Sequence, residues 1–401
     1  MTSQPTRLEH HESAAAPAAA WDGQRELIFF TGTHKTGSTA LHRYLVANRE
    51  ALADLDVNYQ ATGDDNAGNG QPLFENLYFQ QISPHDIDAK LEAYLADKPR
   101  GVCLSEDFTS FARPEWNLIA AGCDRRGIQI RLLTYVRDVG PFLGSLHSEM
   151  AKAGLTSMPL AEFLKNDHYA GVVRSLRTMR DVFGPSAMQV RRYESVAQAI
   201  ERPLLELLRI DPAALDRAIL ALPANRSLEA HELELTLRLN ACTDGKYAAE
   251  LTHYLTRLRP ALRHSIDIDP SSRAVLEERH AADVEWINRT FFDGAPTLRC
   301  LPADSDASAN DPSHATLRHE LDEDFIDWCL EKFGAEHRDS VDFVTSRLKS
   351  IDWANARHAA IPKEFDPVAY LLLNKDLLHS QQRPFMHFIR HGQFEHRRMS
   401  W

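Results

Sequence analysis

Glu26-Leu-Ile-Phe-Phe-Thr-Gly-Thr-His-Lys-Thr-Gly-Ser-Thr39 is the stretch from which the fold can be read. Glu26–Phe30 reads as a buried strand, with a continuous run of apolar residues from Leu27 to Phe30. The turn Thr31–Thr39 carries two glycines, and apolar residues then recur at helical spacing from Ala40 to Leu52. Strand, glycine-containing loop and helix in that order open a phosphate-binding α/β domain. Further along, Gly101–Leu104, Ile128–Val136 and Met188–Tyr193 read as strands. The hydrophobicity of Ile128–Val136 is near-continuous rather than alternating, as expected of a strand covered on both faces in a parallel sheet. Helical patterns lie at 114–123, 141–154, 159–182, 198–240 and 271–292, with a loop at 61–72. The expected fold is therefore α/β, a P-loop-like three-layer parallel sheet flanked by helices, plus a small mainly helical C-terminal region.

The loop itself narrows the chemistry. A nucleoside-triphosphatase loop places lysine directly after the second glycine, followed by Ser or Thr. Here Gly32 and Gly37 keep the spacing, but Ser38 stands at the lysine position and Lys35 sits two residues before Gly37. Backbone N–H groups from Thr36 to Thr39 at a helix N-terminus suit an anionic phosphate, aided by the helix dipole. The hydroxyls of Thr36, Ser38 and Thr39 add donors.

The displaced lysine and the run His34-Lys-Thr-Gly-Ser-Thr39 resemble the 5′-phosphosulfate loop of sulfotransferases that use 3′-phosphoadenosine 5′-phosphosulfate (PAPS), in the form found in bacterial members. A second segment, Val136-Arg137-Asp-Val-Gly-Pro-Phe-Leu-Gly-Ser145, resembles the family's strand-end Arg and the Ser eight residues later. That resemblance implies that Arg137 and Ser145 hold the 3′-phosphate, a role suited to a planar guanidinium fork. Gln189-Val-Arg-Arg-Tyr193-Glu194 is similar to the family strand whose tyrosine packs against adenine, although Ser195 stands where the family has Asp. Asn225-Arg226-Ser227-Leu228 resembles a stretch whose basic residue closes over the nucleotide; the competing reading is a helix N-cap at Ser227. The family implies PAPS as sulfuryl donor, 3′,5′-adenosine bisphosphate (PAP) as product, and a hydroxyl acceptor.

Sulfuryl transfer requires a cation beside the leaving oxygen and a base for the acceptor. Lys35 suits the first. For the second, Glu106 ends the strand Gly101–Leu104, a position corresponding to the strand-end catalytic His of cytosolic sulfotransferases. Asp64, Asp65, Glu75 and His34 are the other candidates. Arg174, Arg177 and Arg180 share one helical face, read as a solvated surface or an anionic-glycan groove. The histidines show no zinc-like spacing, so no metal is expected.

The chain of 401 residues, 43% hydrophobic and 25% charged, has the usage of a globular protein, and its formal net charge of −12 argues against general nucleic-acid binding. Five widely spaced cysteines, no leader-like N-terminus and no apolar run of membrane length lead to the expectation of a soluble, cytoplasmic protein. Glu75–Gln80 matches a viral protease site, read as coincidental because its apolar residues fall on one helical face. Composition divides the chain into a disordered head (1–20), a nucleotide-binding domain (21–300), a Pro/Ser/Asp-rich linker (301–315) and a helical C-terminal module (316–401). Phe365–Asp376 with Pro384–Gly392 resembles a short module appended to bacterial surface-polysaccharide glycosyltransferases, with its aromatic and His positions building a small helical core. That resemblance implies a carbohydrate acceptor and association with polysaccharide-synthesis enzymes. A nucleotide kinase or NTPase, and a non-catalytic polysaccharide-assembly protein, are the rival readings.

Overall fold

The computed structural model describes residues 23–60, 68–79, 82–221, 226–260, 262, 268–295, 297–301, 312–333, 347–349, 351–378, 380, 382–395 and 397–400. The expected head, and the linker apart from residues 301 and 312–315, lie outside the described residues. The chain divides into two compact units, residues 1–136 with 174–222, and residues 137–173 with 223–401.

The first unit holds a five-stranded sheet of order β2-β3-β1-β4-β5. Its strands are β1 (Glu26–Phe30), β2 (Val57–Asn58), β3 (Arg100–Leu104), β4 (Gln129–Val136) and β5 (Met188–Arg192), and every neighbouring pair is parallel. The register sets Phe30 beside Leu104 on one side and Leu133 on the other. All five residues of β1 and of β3 are buried, including the charged first residue of each, Glu26 and Arg100.

Alternation along β1 builds three layers. Ile28 and Phe30 pack with Leu41, Tyr44 and Leu45 of the Ser38–Ala47 helix and with Leu204, Leu205 and Leu208 of the Arg202–Leu208 helix. Phe29 points the other way, edge-on to Phe108 at 5.6 Å and to Trp116 of the Arg113–Arg126 helix at 6.0 Å. Each such side chain contributes about 1.5–3 kcal/mol by leaving water. The sheet therefore opens its C-terminal edge, the ligand-binding edge of parallel α/β sheets, after β1 and β3.

The periodic run 40–52 is two helices, Ser38–Ala47 and Arg49–Asp54. Asn48 interrupts it because its side chain is committed elsewhere: Nδ2 donates to Tyr44 O and Asp216 O, and Oδ1 accepts from Asp216 N. The 159–182 pattern likewise resolves into Leu160–Phe163 and Ala170–Phe183. The 198–240 pattern breaks at short 3₁₀ turns before the Ala230–Thr243 helix.

The second unit is helical. Its main elements are Val139–Lys152, Ala230–Thr243, Ala248–Leu258, Pro270–Phe291 and Pro312–Phe333. Leu235, Leu239 and Leu251 share one core with Phe325, Trp328 and the C-terminal Phe365, Tyr370, Phe385 and Phe388. The C-terminal aromatic positions and His387 are buried in that core, whereas His391 is exposed. Asp366 caps the Pro367–Leu373 helix through Val368 N and Ala369 N, and the Tyr370 hydroxyl lies 2.9 Å from His387 Nδ1. By contacts, the tail is thus continuous with residues 230–258 rather than set apart from them. Among the described residues no helix is long and apolar enough to cross a membrane.

Candidate functional site

The loop after β1 is held on the neighbouring strand β4. Thr31 N donates to Leu133 O at 2.9 Å, and Thr33 N donates to Tyr135 O at 3.2 Å. Thr36 Oγ1 donates to Thr33 O at 2.5 Å, closing the turn. Gly37 is the N-cap of the Ser38–Ala47 helix at φ 81°, with no side-chain cap, so the first-turn amides face the loop. A side chain at Gly37 is disfavoured by the left-handed φ and would force Ile200 Cδ1, 2.1 Å from a Cβ there, to move. Lys35 also takes positive φ, 66°, a conformation that costs an L-residue roughly 1–2 kcal/mol. Strain of that kind held by a rigid frame concentrates at functional sites.

Glu106 meets this loop. It begins the 3₁₀ turn Glu106–Ser110 that follows β3, where the Ser105 side chain caps Asp107 N. Because β1 and β3 are neighbours in register, this turn lands beside the 31–37 loop. Ser38 Oγ donates to Glu106 Oε2 at 2.6 Å, and His34 Nδ1 lies 3.0 Å from Glu106 Oε1. His34 Nε2 lies 3.9 Å from Asp107 Oδ1. Burial pushes the Glu106 carboxyl up, but His34, the Ser38 hydroxyl and the Lys35 charge outweigh it and hold the group below its ordinary value. His34 is raised by its hydrogen bond to Glu106; burial opposes the rise, the charges of Glu106 and Asp107 add to it, and that of Lys35 opposes it. The outcome is an ionised carboxylate clamped between an imidazole and a hydroxyl at a helix N-terminus.

One supporting segment was not legible in the sequence. Asn69, fully buried, donates to Val102 O and accepts from Leu104 N, both at 2.8 Å. Gly70 N donates to Leu104 O at 2.8 Å, and Ser105 Oγ lies 3.1 Å from Gln71 Oε1. These contacts fasten the start of the Gln71–Tyr78 helix to the end of β3. Glu75, one of the alternative bases, bonds Gln71 Nε2 at 3.3 Å, one residue removed from the Glu106 turn. Asp64 and Asp65 lie outside the described residues. From Phe108, two residues after Glu106, a series of ring contacts runs through Phe111, Phe74 and Tyr78 to Phe79. Tyr78 and Phe79 are 49% and 61% exposed, so the apolar residues of 75–80 do not all share a buried face.

Tyr193 opens the short helix after β5, and its ring lies 3.5 Å from where a Gly37 Cβ would stand. The first unit thus gathers Lys35, Thr36, Gly37, Ser38, Thr39, Glu106 and Tyr193. Arg137 and Ser145 belong to the second unit. Arg137 directly follows the last residue of β4, and its carbonyl accepts from the Tyr169 hydroxyl at 3.2 Å. Ser145 is half-buried within the Val139–Lys152 helix.

Arg226 corrects the sequence reading. Its guanidinium is paired bidentately with Glu232 at 2.6 Å on both arms and also donates to Leu255 O, so it is committed within the second unit. Nor does Ser227 cap a helix: Glu229 is the N-cap of Ala230–Thr243, in a capping box with Glu232. On the Ala170–Phe183 helix, Arg174 and Arg177 are exposed and Arg180 pairs with Asp181. Among the described residues no three His, Cys, Asp or Glu side chains are grouped to hold a metal ion.

No family model matches the chain, and no curated protein matches it. Among solved structures, a sulfotransferase from Alicyclobacillus acidocaldarius is similar at 15% identity over 57% of this chain and 95% of that chain, with a TM-score of 0.34.

Proposed function

We propose that this chain is a sulfotransferase that moves a sulfuryl group from PAPS to a hydroxyl acceptor, with a carbohydrate as the acceptor class. The observation that carries the reading is the meeting of Ser38, in the loop with the displaced lysine, and Glu106, at the end of the neighbouring strand. An anion cradle and an ionised carboxylate in one place meet the two demands of the reaction. The amides of the helix N-terminus and the Lys35 ammonium fit a 5′-phosphate and its sulfuryl group. Tyr193 lies against Gly37, and its role of packing against the adenine is assigned on the sequence resemblance. Arg137 and Ser145 are assigned to the 3′-phosphate on the sequence resemblance alone.

In the proposed reaction Glu106 accepts the acceptor's hydroxyl proton as that oxygen bonds to sulfur and the bond from sulfur to the phosphate oxygen breaks. Lys35 offsets the charge that grows on the departing oxygen. No proton is needed from the protein for the leaving group, because PAP departs as a phosphate. The aromatic series from Phe108 to the exposed Tyr78 and Phe79 supports a carbohydrate acceptor, since exposed rings suit the apolar face of a sugar. The reading is tested by incubating the protein with PAPS and saccharide acceptors and following acceptor-dependent PAP release. Release in wild type and its loss in Lys35→Ala supports the reading. Acceptor-independent hydrolysis unaffected by Lys35→Ala contradicts it.

A further inference from the structure

We propose that Ser38 is a shared donor whose single hydroxyl proton couples anion binding in the 31–37 loop to the basicity of Glu106, so that the base strengthens when the donor site is filled. The inference rests on the sulfotransferase reading of the site and concerns the order in which it works.

A serine hydroxyl has one O–H to give. Ser38 is only 6% exposed, is the first residue of its helix, and gives that proton to Glu106 Oε2 at 2.6 Å. An anion seated on the amides of the same helix end is a second acceptor for the same proton, because the hydroxyl and the amide belong to one residue. The two acceptors compete, so an anion in the loop and the Ser38–Glu106 bond oppose each other. Releasing Oε2 does not set the carboxylate adrift, since Oε1 stays beside His34 at 3.0 Å. His34 and Lys35 are the charged or titratable groups that act on Glu106, and Asp107 lies 3.9 Å from the same imidazole. Filling the loop therefore removes a hydrogen bond that stabilises the charged carboxylate, and raises the basicity of a group still positioned by His34. With the loop empty, the Ser38 hydrogen bond makes the carboxylate the weaker base.

Linkage requires the effect to be reciprocal: whatever the anion costs the Ser38–Glu106 bond, that bond costs the anion. The test is a double-mutant cycle on PAP affinity, read by titration calorimetry on the full chain, using wild type, Glu106→Gln, Ser38→Ala and the double variant. Glu106→Gln leaves Ser38 a weaker, neutral acceptor and is expected to tighten PAP binding roughly tenfold in the wild-type background, the size of a hydrogen bond to a charged group. In the Ser38→Ala background the same change is expected to tighten binding only about twofold, the residue of a screened charge effect. Glu106→Ala, which removes the acceptor altogether, is expected to show the same pattern and serves where Glu106→Gln does not fold. An equal tightening in both backgrounds overturns the shared-donor proposal while leaving the sulfotransferase reading standing. A wild-type protein that does not bind PAP overturns that reading instead.

Discussion

Ser38 and Glu106, separated by 68 positions in sequence, share a hydrogen bond of 2.6 Å because β1 and β3 are in-register neighbours whose C-terminal ends deliver the two loops to one place. The relationship joins the helix N-terminus to the carboxylate, and it fixes what substitutions should do.

Lys35→Ala is expected to reduce turnover on the order of 10²–10³, the cost of removing one preorganised charge stabiliser, with little change in thermal midpoint. Steady-state kinetics with PAPS and a saccharide acceptor measures it. A loss confined to KM would assign Lys35 to binding alone.

Glu106→Gln is expected to bind PAP more tightly, as argued above, and to lose turnover by roughly 10²–10⁴, the range of general-base contributions. Near-normal turnover in this variant would move the base to Glu75 or to another group.

The pH dependence follows from the opposed shifts in the His34–Glu106 pair. Glu106 is held below its ordinary value of 4.5, so its contribution to stability is present above that value and lost as pH falls through its lower folded pKa. His34 is raised above its ordinary 6.5, so its contribution is complete below that value and lost as pH rises through its higher folded pKa. Their mutual support should be greatest between about pH 4.5 and 6.5. His34→Gln should therefore lower the urea midpoint more at pH 5.5 than at pH 8.5. Equal losses at both pH values would show that the imidazole charge does not act on Glu106.

Asn69→Ala should destabilise the protein by about 2–4 kcal/mol in urea unfolding, because it strands Val102 O and Leu104 N at the end of β3. Turnover should fall with it, since those groups fix the Glu106 turn. A variant with wild-type stability would mean that water replaces the amide.

Arg226→Ala should cost about 3–5 kcal/mol, because it leaves the fully buried Glu232 carboxylate unpaired, and it should leave PAP affinity unchanged in the folded fraction. Weaker PAP binding at unchanged stability would restore the nucleotide-closing role suggested by the sequence.

What the sequence disclosed follows from what is local. The apolar run of β1, the glycines at 32 and 37 and the helix that follows are set by neighbours within a few residues, and so were the strand end at Glu106 and the displaced Lys35. The partners of Glu106 were not legible, because they depend on β3 pairing with β1 rather than with another strand. Asn69 and Gln71 sit in a stretch that reads only as polar loop, and their importance comes from the β3 edge they bind. Arg226 misled because its motif is short, whereas the capping box at Glu229 and Glu232, which claims its guanidinium, lies three to six residues further on.

The most direct test of the account is thermal unfolding with PAP, with ATP–Mg²⁺ and with GTP–Mg²⁺, each at a concentration far above its expected Kd. The account predicts that PAP stabilises the protein, by about 2.7 kcal/mol at 100-fold excess over Kd, that the triphosphates do so far less, and that Lys35→Ala and Arg137→Ala reduce the PAP effect. Stabilisation by ATP–Mg²⁺ or GTP–Mg²⁺ without stabilisation by PAP would contradict it.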